Sequence, residues 1–278
     1  MVDFRYEKVS DSVTRIFGIS GEMWYLVTGN DKAALLDTGS GIGHMKPLID
    51  KLTDKPLIIL LSHGHVDHAS GAPEFDCPIY MNPADDAVYE LHKGIEIRKE
   101  GLEETPAEIL DKLEDSDYIP VRKEPFLPLK QGDTFDLGGL TVETFACAGH
   151  TPGSVVFLLR EERMAVLGDA CNFFTFLFFD YCLPIETFRQ NLLTLKDQLQ
   201  GRFDRVLLNH GDGNAPSAIL NGVISVCDDI ISGNTDDIPF VFRGEPALIA
   251  KAVDLSTGQR VDGGIGNVVY SKSNIRKS

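Results

Sequence analysis

The sequence predicts an α/β (α+β) fold in which two layers of β-sheet lie between flanking helices. Three observations predict it. Segments follow one another as strands, helix, strand, insertion, strands, helix, strand, helix, an order that does not suit a doubly wound parallel sheet. Leu57-Ile58-Ile59-Leu60-Leu61 is a continuous apolar run of the kind buried on both faces. Two segments late in the chain repeat apolar residues at helical spacing.

Residues 14–18, 23–28 and 33–37 open the chain as strands. The last breaks at the turn-rich Asp37-Thr38-Gly39-Ser40-Gly41. Residues 44–52 suit a short helix, and the strand at 57–61 runs straight into Ser62-His63-Gly64-His65-Val66-Asp67-His68. Residues 82–117 read as a helical insertion. Asn82-Pro83-Ala84-Asp85 supplies a cap, a proline at the first helical position and an acid in the first turn. Thr105-Pro106-Ala107-Glu108 repeats that logic as a capping box. Strands resume at 141–147, 154–159 and 164–167. Phe188, Leu192, Leu195 and Leu199 mark one amphipathic helix. Ile219, Leu220, Val223, Ile224, Cys227, Ile230 and Ile231 mark a second, which starts after Pro216, with a strand at 205–209 between the two. Residues 238–278 read as a β-type extension that adds strands, covers the site or makes a homodimer contact. The expected division is a main domain, 1–237, in which 82–125 is an acidic helical insertion or lid, followed by the extension at 238–278.

Of the 278 residues, 43% are apolar and 24% charged, enough apolar surface for a core and too much for disorder. There is no apolar run of about 18 residues to span a membrane. The first residues, Met1-Val2-Asp3-Phe4-Arg5-Tyr6-Glu7, lack the apolar stretch of a signal peptide. Cys77, Cys147, Cys171, Cys182 and Cys227 are scattered and include no Cys-x-x-Cys, as for reduced thiols. A cytoplasmic location is expected. With 26 basic and 42 acidic residues the net charge is −16, which argues against nucleic acid and anionic membrane as partners. Residues 82–125 hold 13 acidic and 6 basic side chains, hence −7, which suits a solvated helical face or a field that steers a cationic substrate.

The histidines carry the chemistry. Of seven, three fall within His63-Gly64-His65-Val66-Asp67-His68. Neutral imidazole and carboxylate are ligand types for zinc, iron or manganese. A sharp loop after a buried strand can turn His63 and His65 to one ion while Asp67 and His68 face a second, and Gly64 lets the backbone turn tightly. His150 follows a strand in Gly149-His150-Thr151-Pro152-Gly153, Asp169 follows one in Gly168-Asp169-Ala170, and His210 follows one in Asn209-His210-Gly211-Asp212-Gly213. Four strands thus each end in a metal-ligand residue type beside a glycine, and strand ends converge at one edge of a sheet. A lone histidine at a strand end is usually a capped or surface residue. Five of seven gathered this way point to a metal site. His44, near a helix start, and His92, on the acidic insertion, have no ligand partner nearby in sequence and read as structural.

These motifs resemble the metallo-β-lactamase fold superfamily and, within it, the glyoxalase II-like zinc-dependent hydrolase branch. The resemblance spans residues 63–211 and rests on His63-Gly64-His65-Val66-Asp67-His68, Gly149-His150-Thr151-Pro152-Gly153-Ser154, Gly168-Asp169 and His210-Gly211. Leu36-Asp37-Thr38-Gly39 also resembles the superfamily's first strand-turn. It implies an αββα sandwich with a binuclear metal site at one edge. Carried over residue by residue, it implies His63, His65 and His150 on the first ion, Asp67, His68 and His210 on the second, and Asp169 bridging both. The implied cofactors are two divalent ions, zinc first, with iron or manganese served by the same ligands. Asp169 separates the chain from true β-lactamases, His65 from the flavodiiron proteins, and net acidity from the tRNA-processing nucleases. Asn172 stands where the similar quorum-sensing lactonases carry tyrosine. Residues 212–260 offer only Arg243, Lys251 and Arg260 for a basic glutathione site.

The implied activity is hydrolysis of a small ester, thioester, lactone or amide by a hydroxide that bridges the two ions, with Asp67 and Asp169 as the catalytic carboxylates. The alternatives on the same fold are a mono-iron persulfide dioxygenase-like oxidoreductase and a phosphodiesterase. Asp37 and Thr151 are candidates to orient the ligand histidines, Asp37 equally being a turn residue. Phe173, Phe174, Phe176, Phe178, Phe179 and Tyr181 form either a pocket wall or core packing. Cys171 reads as a buried thiol.

Overall fold

A computed structural model describes residues 2–102 and 105–277. The first sheet follows chain order: Tyr6–Lys8, Val13–Phe17, Met23–Thr28, Ala33–Leu36, Leu57–Leu60, Ile79–Met81 and Leu127–Pro128. It is antiparallel up to Ala33–Leu36 and parallel beyond, with Leu35 opposite Ile59. The second sheet runs Asn214–Ala215, Arg205–Leu207, Met164–Val166, Val155–Leu159, Thr141–Ala146, Thr134–Asp136. Its one parallel pair sets Ala165 opposite Val206.

Strand alternation explains why these sheets stack between helices. Tyr25 and Val27 point inward with Leu36 and Leu60 and meet Val155, Phe157 and Leu159 of the second sheet. Trp24 and Leu26, on the other face, pack with Leu35 and Ile59 against Ile49 of the helix Lys46–Leu52. Val156 and Leu158 pack outward on Phe188, Leu192 and Leu195 of the helix Ile185–Leu199 and on Val223 of the helix Ile219–Ser232. Each sheet is therefore apolar on both faces, and the layers read helix, sheet, sheet, helix. Cutting Leu192, wholly buried, back to alanine would cost about 2–5 kcal/mol. Among the described residues no helix is long and apolar enough to cross a membrane.

The insertion holds three short helices, Asp86–His92, Ile95–Glu100 and Ala107–Leu110. Asn82 caps its start, accepting the Ala84 N–H at 3.1 Å. The capping box at Thr105 does not form. Pro106 takes the cap position with no side-chain bond, and the Thr105 hydroxyl turns to the Ile19 carbonyl. Arg98, buried, donates to the carbonyls of Gly41 and Ile119 and so ties the insertion to the turn after the strand Ala33–Leu36.

A third sheet has the order Thr175–Leu177, Val268–Tyr270, Glu245–Ile249, Ile238–Phe242. Its first strand lies inside the aromatic run and was not expected there, since the local sequence shows no alternation. Phe178 is buried with Ala247 and Val269, and Phe176 and Phe179 pack against that cluster beside Phe240 and Phe242. Most of the aromatic run is thus packing between this segment and the C-terminal strands.

Candidate metal centre

The parallel strand Leu57–Leu60 delivers Ser62 and His63 to the sheet edge. His65 then caps the short helix Val66–Ala69, which carries Asp67 and His68. His150 follows Thr141–Ala146, Asp169 follows Met164–Val166, and His210 follows Arg205–Leu207. Gly168, at φ 53°, turns the chain so that Asp169 faces in, and a Cβ there would sit 3.1 Å from Asn209 Oδ1. At Gly64 the requirement is close approach rather than the expected turn, because a Cβ would lie 2.9 Å from the Asp85 carbonyl oxygen.

These loops bring all seven expected residues together in two groups: His63, His65 and His150, and Asp67, His68, Asp169 and His210. Within each group the ligand atoms lie within 4.8 Å of one another. His63 Nε2 and His150 Nε2 each stand 3.0 Å from His65 Nδ1. Asp169 Oδ2 lies 3.3 Å from His210 Nε2, 3.5 Å from His68 Nε2 and 3.7 Å from His150 Nε2, so it reaches both groups. Asp67 Oδ2 lies 3.2 Å from His210 Nε2.

The two groups differ in charge. Burial, and then the neighbouring imidazoles, hold His63 and His65 well below the ordinary histidine value, so both are neutral. In the second group burial opposes every charge, yet the charges sustain one another. His68 and His210 hold Asp67 and Asp169 well below the carboxylate range. In return Asp67, Asp37 and Asp169 raise His68, and Asp169 and Asp67 raise His210 to about 10.

Outer partners decide which nitrogen faces in. His150 Nδ1 donates to the Phe176 carbonyl at 2.8 Å. His65 Nε2 meets the Tyr181 hydroxyl at 2.9 Å, and His63 Nδ1 meets Ser62 Oγ at 2.9 Å. Three imidazole nitrogens therefore converge with lone pairs toward one point, which a cation would satisfy. His68 Nε2, wholly buried, has no hydrogen-bond partner among the described residues. These features fit bound divalent metal.

Asp37 orients His68, as expected of it. Thr151 orients no ligand histidine, because its hydroxyl donates to Asp85 Oδ2 at 2.7 Å. Asp85 itself was read from the sequence as a first-turn acid. It is fully buried and accepts the N–H groups of Gly64 at 2.9 Å and Gly153 at 2.5 Å, joining the loop of His63 and His65 to the loop of His150. His44 is exposed and bonds Glu74 and Ser116, away from the centre. His92 joins neither ligand group, and its ring packs 4.6 Å from that of His65. Cys171 is a buried free thiol, as expected.

Residues 18–210 match the family model described as the metallo-beta-lactamase superfamily. An uncharacterized protein of Mycobacterium tuberculosis is 32% identical over 139 residues, 46% of this chain and 55% of its own length, so the match spans about half of that relative. The hydroxyacylglutathione hydrolase GloC of Haemophilus influenzae is 27% identical over 179 residues, 60% of this chain and 76% of its own. Among solved structures, the metallo-beta-lactamase FIM-1 from Pseudomonas aeruginosa in its mono-zinc form superposes with a TM-score of 0.59 at 15% identity, over 81% of this chain and 94% of its own, a likeness of fold.

Proposed function

The chain belongs to the metallo-beta-lactamase superfamily, and from that premise we propose that it is a binuclear metal-dependent hydrolase of small esters, thioesters, lactones or amides. The observation that carries this reading is Asp169, whose Oδ2 lies within 3.7 Å of nitrogens from both ligand groups. A carboxylate so placed suits a ligand shared by two ions. His63, His65 and His150 would hold one ion, Asp67, His68 and His210 the other, and zinc suits this mixture of imidazole and carboxylate.

When bound, such ions supply Lewis acidity and lower the pKa of a water they share. The chain's own part is to hold the donors. Asp37 fixes His68 with Nε2 inward, and the Phe176 carbonyl does the same for His150. Asp67 and Asp169 would offset cationic charge at the site. Asp85 keeps the two histidine loops at fixed separation. We place the enzyme in the cytoplasm, acting on small molecules rather than nucleic acid or membrane. The hydroxyacylglutathione hydrolase relative supports an acyl substrate, while the sparse basic residues in 212–260 point away from glutathione.

Elemental analysis of the purified protein, with hydrolysis of an ester, thioester and lactone panel, tests the reading. About two zinc ions per chain, with turnover lost in Asp169→Ala, are expected. One iron per chain with oxygen consumed on a persulfide, and no hydrolysis, would overturn it in favour of the dioxygenase-like alternative.

A further inference from the structure

We propose that Arg15 is the positioning residue for His210, and that it acts by gripping the loop on which His210 stands. This rests on the two-ion reading above, and only for the ion assigned to Asp67, His68 and His210.

The need for such a residue shows in how the other imidazoles are held. His63 Nδ1 meets Ser62 Oγ, His65 Nε2 the Tyr181 hydroxyl, His68 Nδ1 the Asp37 carboxylate and His150 Nδ1 the Phe176 carbonyl. His210 turns Nε2 to Asp67 and Asp169, and its Nδ1 has no partner among the described residues. Its side chain is 38% exposed, where His68 and His150 are buried. The place of this ring is therefore set by its backbone.

That backbone is Asn209-His210-Gly211-Asp212-Gly213, with Gly211 at φ 66° and Gly213 at φ 68°. Two glycines let the loop turn but give it little stiffness of its own. One end is fixed by Asn209. Its carbonyl accepts the Met23 N–H and its Nδ2 donates to the Met23 carbonyl, both at 2.7 Å.

Arg15 fixes the other end. It follows Val13 by two residues in the strand Val13–Phe17, so it shares the face that packs between the sheets, where alternation calls for an apolar side chain. It is nonetheless a buried arginine. Nη2 donates to the Gly213 carbonyl at 2.7 Å and to Asn214 Oδ1 at 2.9 Å, and Nη1 reaches the Asp212 carbonyl at 3.5 Å. Tyr25, its partner across the strand pair, donates its hydroxyl to the Leu208 carbonyl and stands 3.2 Å from that of Gly213. Gly213 leaves the room, since a Cβ there would lie 2.7 Å from Arg15 Cζ. Among the described residues one carboxylate faces the charge, the half-exposed Glu7 at 2.8 Å. Burying a guanidinium is costly. What it obtains here is a hold on three successive residues, 212–214, just past the ligand.

Competition for zinc against a chromophoric chelator tests this. The parent is expected to show two affinities, and His210→Ala marks which of them belongs to the His210 group. Arg15→Met should weaken that same affinity about 10–100-fold, the range for a lost outer partner, and leave the other within about threefold. Arg15→Lys, which keeps a donor for the Gly213 carbonyl, should recover part of the loss. If Arg15→Met does not fold, Tyr25→Phe carries the test and should weaken the same affinity to a smaller extent. Two affinities that fall together would show a general loosening of the fold, and two that both hold would show that the loop needs no grip; either result overturns the role of Arg15 alone. A parent that binds one zinc ion or none would instead overturn the two-ion reading, and this inference with it.

Discussion

Asp37 Oδ2 stands 2.9 Å from His68 Nδ1, with both side chains out of solvent. The same carboxylate accepts the Ser62 N–H at 2.7 Å, the Ser62 hydroxyl at 2.8 Å and Asn209 Nδ2 at 2.9 Å. Four donors fill it, and the bond to Nδ1 leaves Nε2 of His68 facing the centre. Asp37 sits at φ 65°, a region that aspartate and asparagine tolerate better than most residues. Asp37→Asn therefore keeps the backbone but must turn an amide NH₂ toward one of those donors. Metal affinity should fall about 10–100-fold. Competition against a chromophoric chelator measures it, and unchanged affinity would show that His68 needs no such partner.

Asp85 carries a second prediction. Its carboxylate is buried, and burial raises its pKa, yet it accepts Gly64, Gly153 and Thr151 at once. Asp85→Asn faces three donors with only one acceptor atom, and Asp85→Ala leaves two buried N–H groups unpaired. Either should cost about 2–4 kcal/mol in urea unfolding. The His150 loop should also drift from the His63 loop, so metal should dissociate faster. A variant as stable as the parent would mean that the loops are held by packing alone.

The comparison of these two aspartates shows what the sequence could reveal. Asp37 was legible because it ends a predicted strand at a turn-rich break, two residues before Gly39. The seven ligand-type residues were legible for the same reason, since each follows or lies close after a short buried strand. Asp85 was not, because its role depends on the insertion folding back over His63, a contact between residues far apart in the chain. His92 was hidden likewise: helical periodicity on an acidic segment says which face is apolar but not which loop it will meet. Tyr181 was noticed only as one aromatic among six. Its contact with His65 follows a strand, Thr175–Leu177, whose partner Val268–Tyr270 lies nearly a hundred residues later.

Metal removal should unmask the cost of gathering these groups. The ions would bind the folded chain and not the unfolded one, so at a thousandfold excess over Kd they stabilise it by about 4 kcal/mol. For a chain this long that is a Tm shift of about 10 °C. Thermal unfolding with and without a chelator should show the gap in the parent and a much smaller one in Asp169→Ala, where both groups lose an oxygen. Equal melting of the loaded and stripped parent would rule out a structural contribution from the ions.

The C-terminal sheet offers a pH test away from the centre. Asp237 lies at φ 51° and accepts from Lys272 at 2.8 Å, from the Tyr270 hydroxyl at 2.5 Å and from the Thr235 hydroxyl at 2.7 Å. Those bonds, Lys272 first, lower its pKa to about 2. A carboxylate whose folded pKa is depressed stabilises the fold above its unfolded value, near 4, and that stability is lost as pH falls toward 2. Since the group is partly solvated, about 1 kcal/mol is expected after screening. Asp237→Asn tolerates the same backbone and lacks the charge. The difference in urea midpoint between parent and variant should hold steady from pH 7 to 5 and then close as pH falls toward 2. A difference that persists unchanged at the acid end would mean that the stabilisation does not depend on the ionised carboxylate.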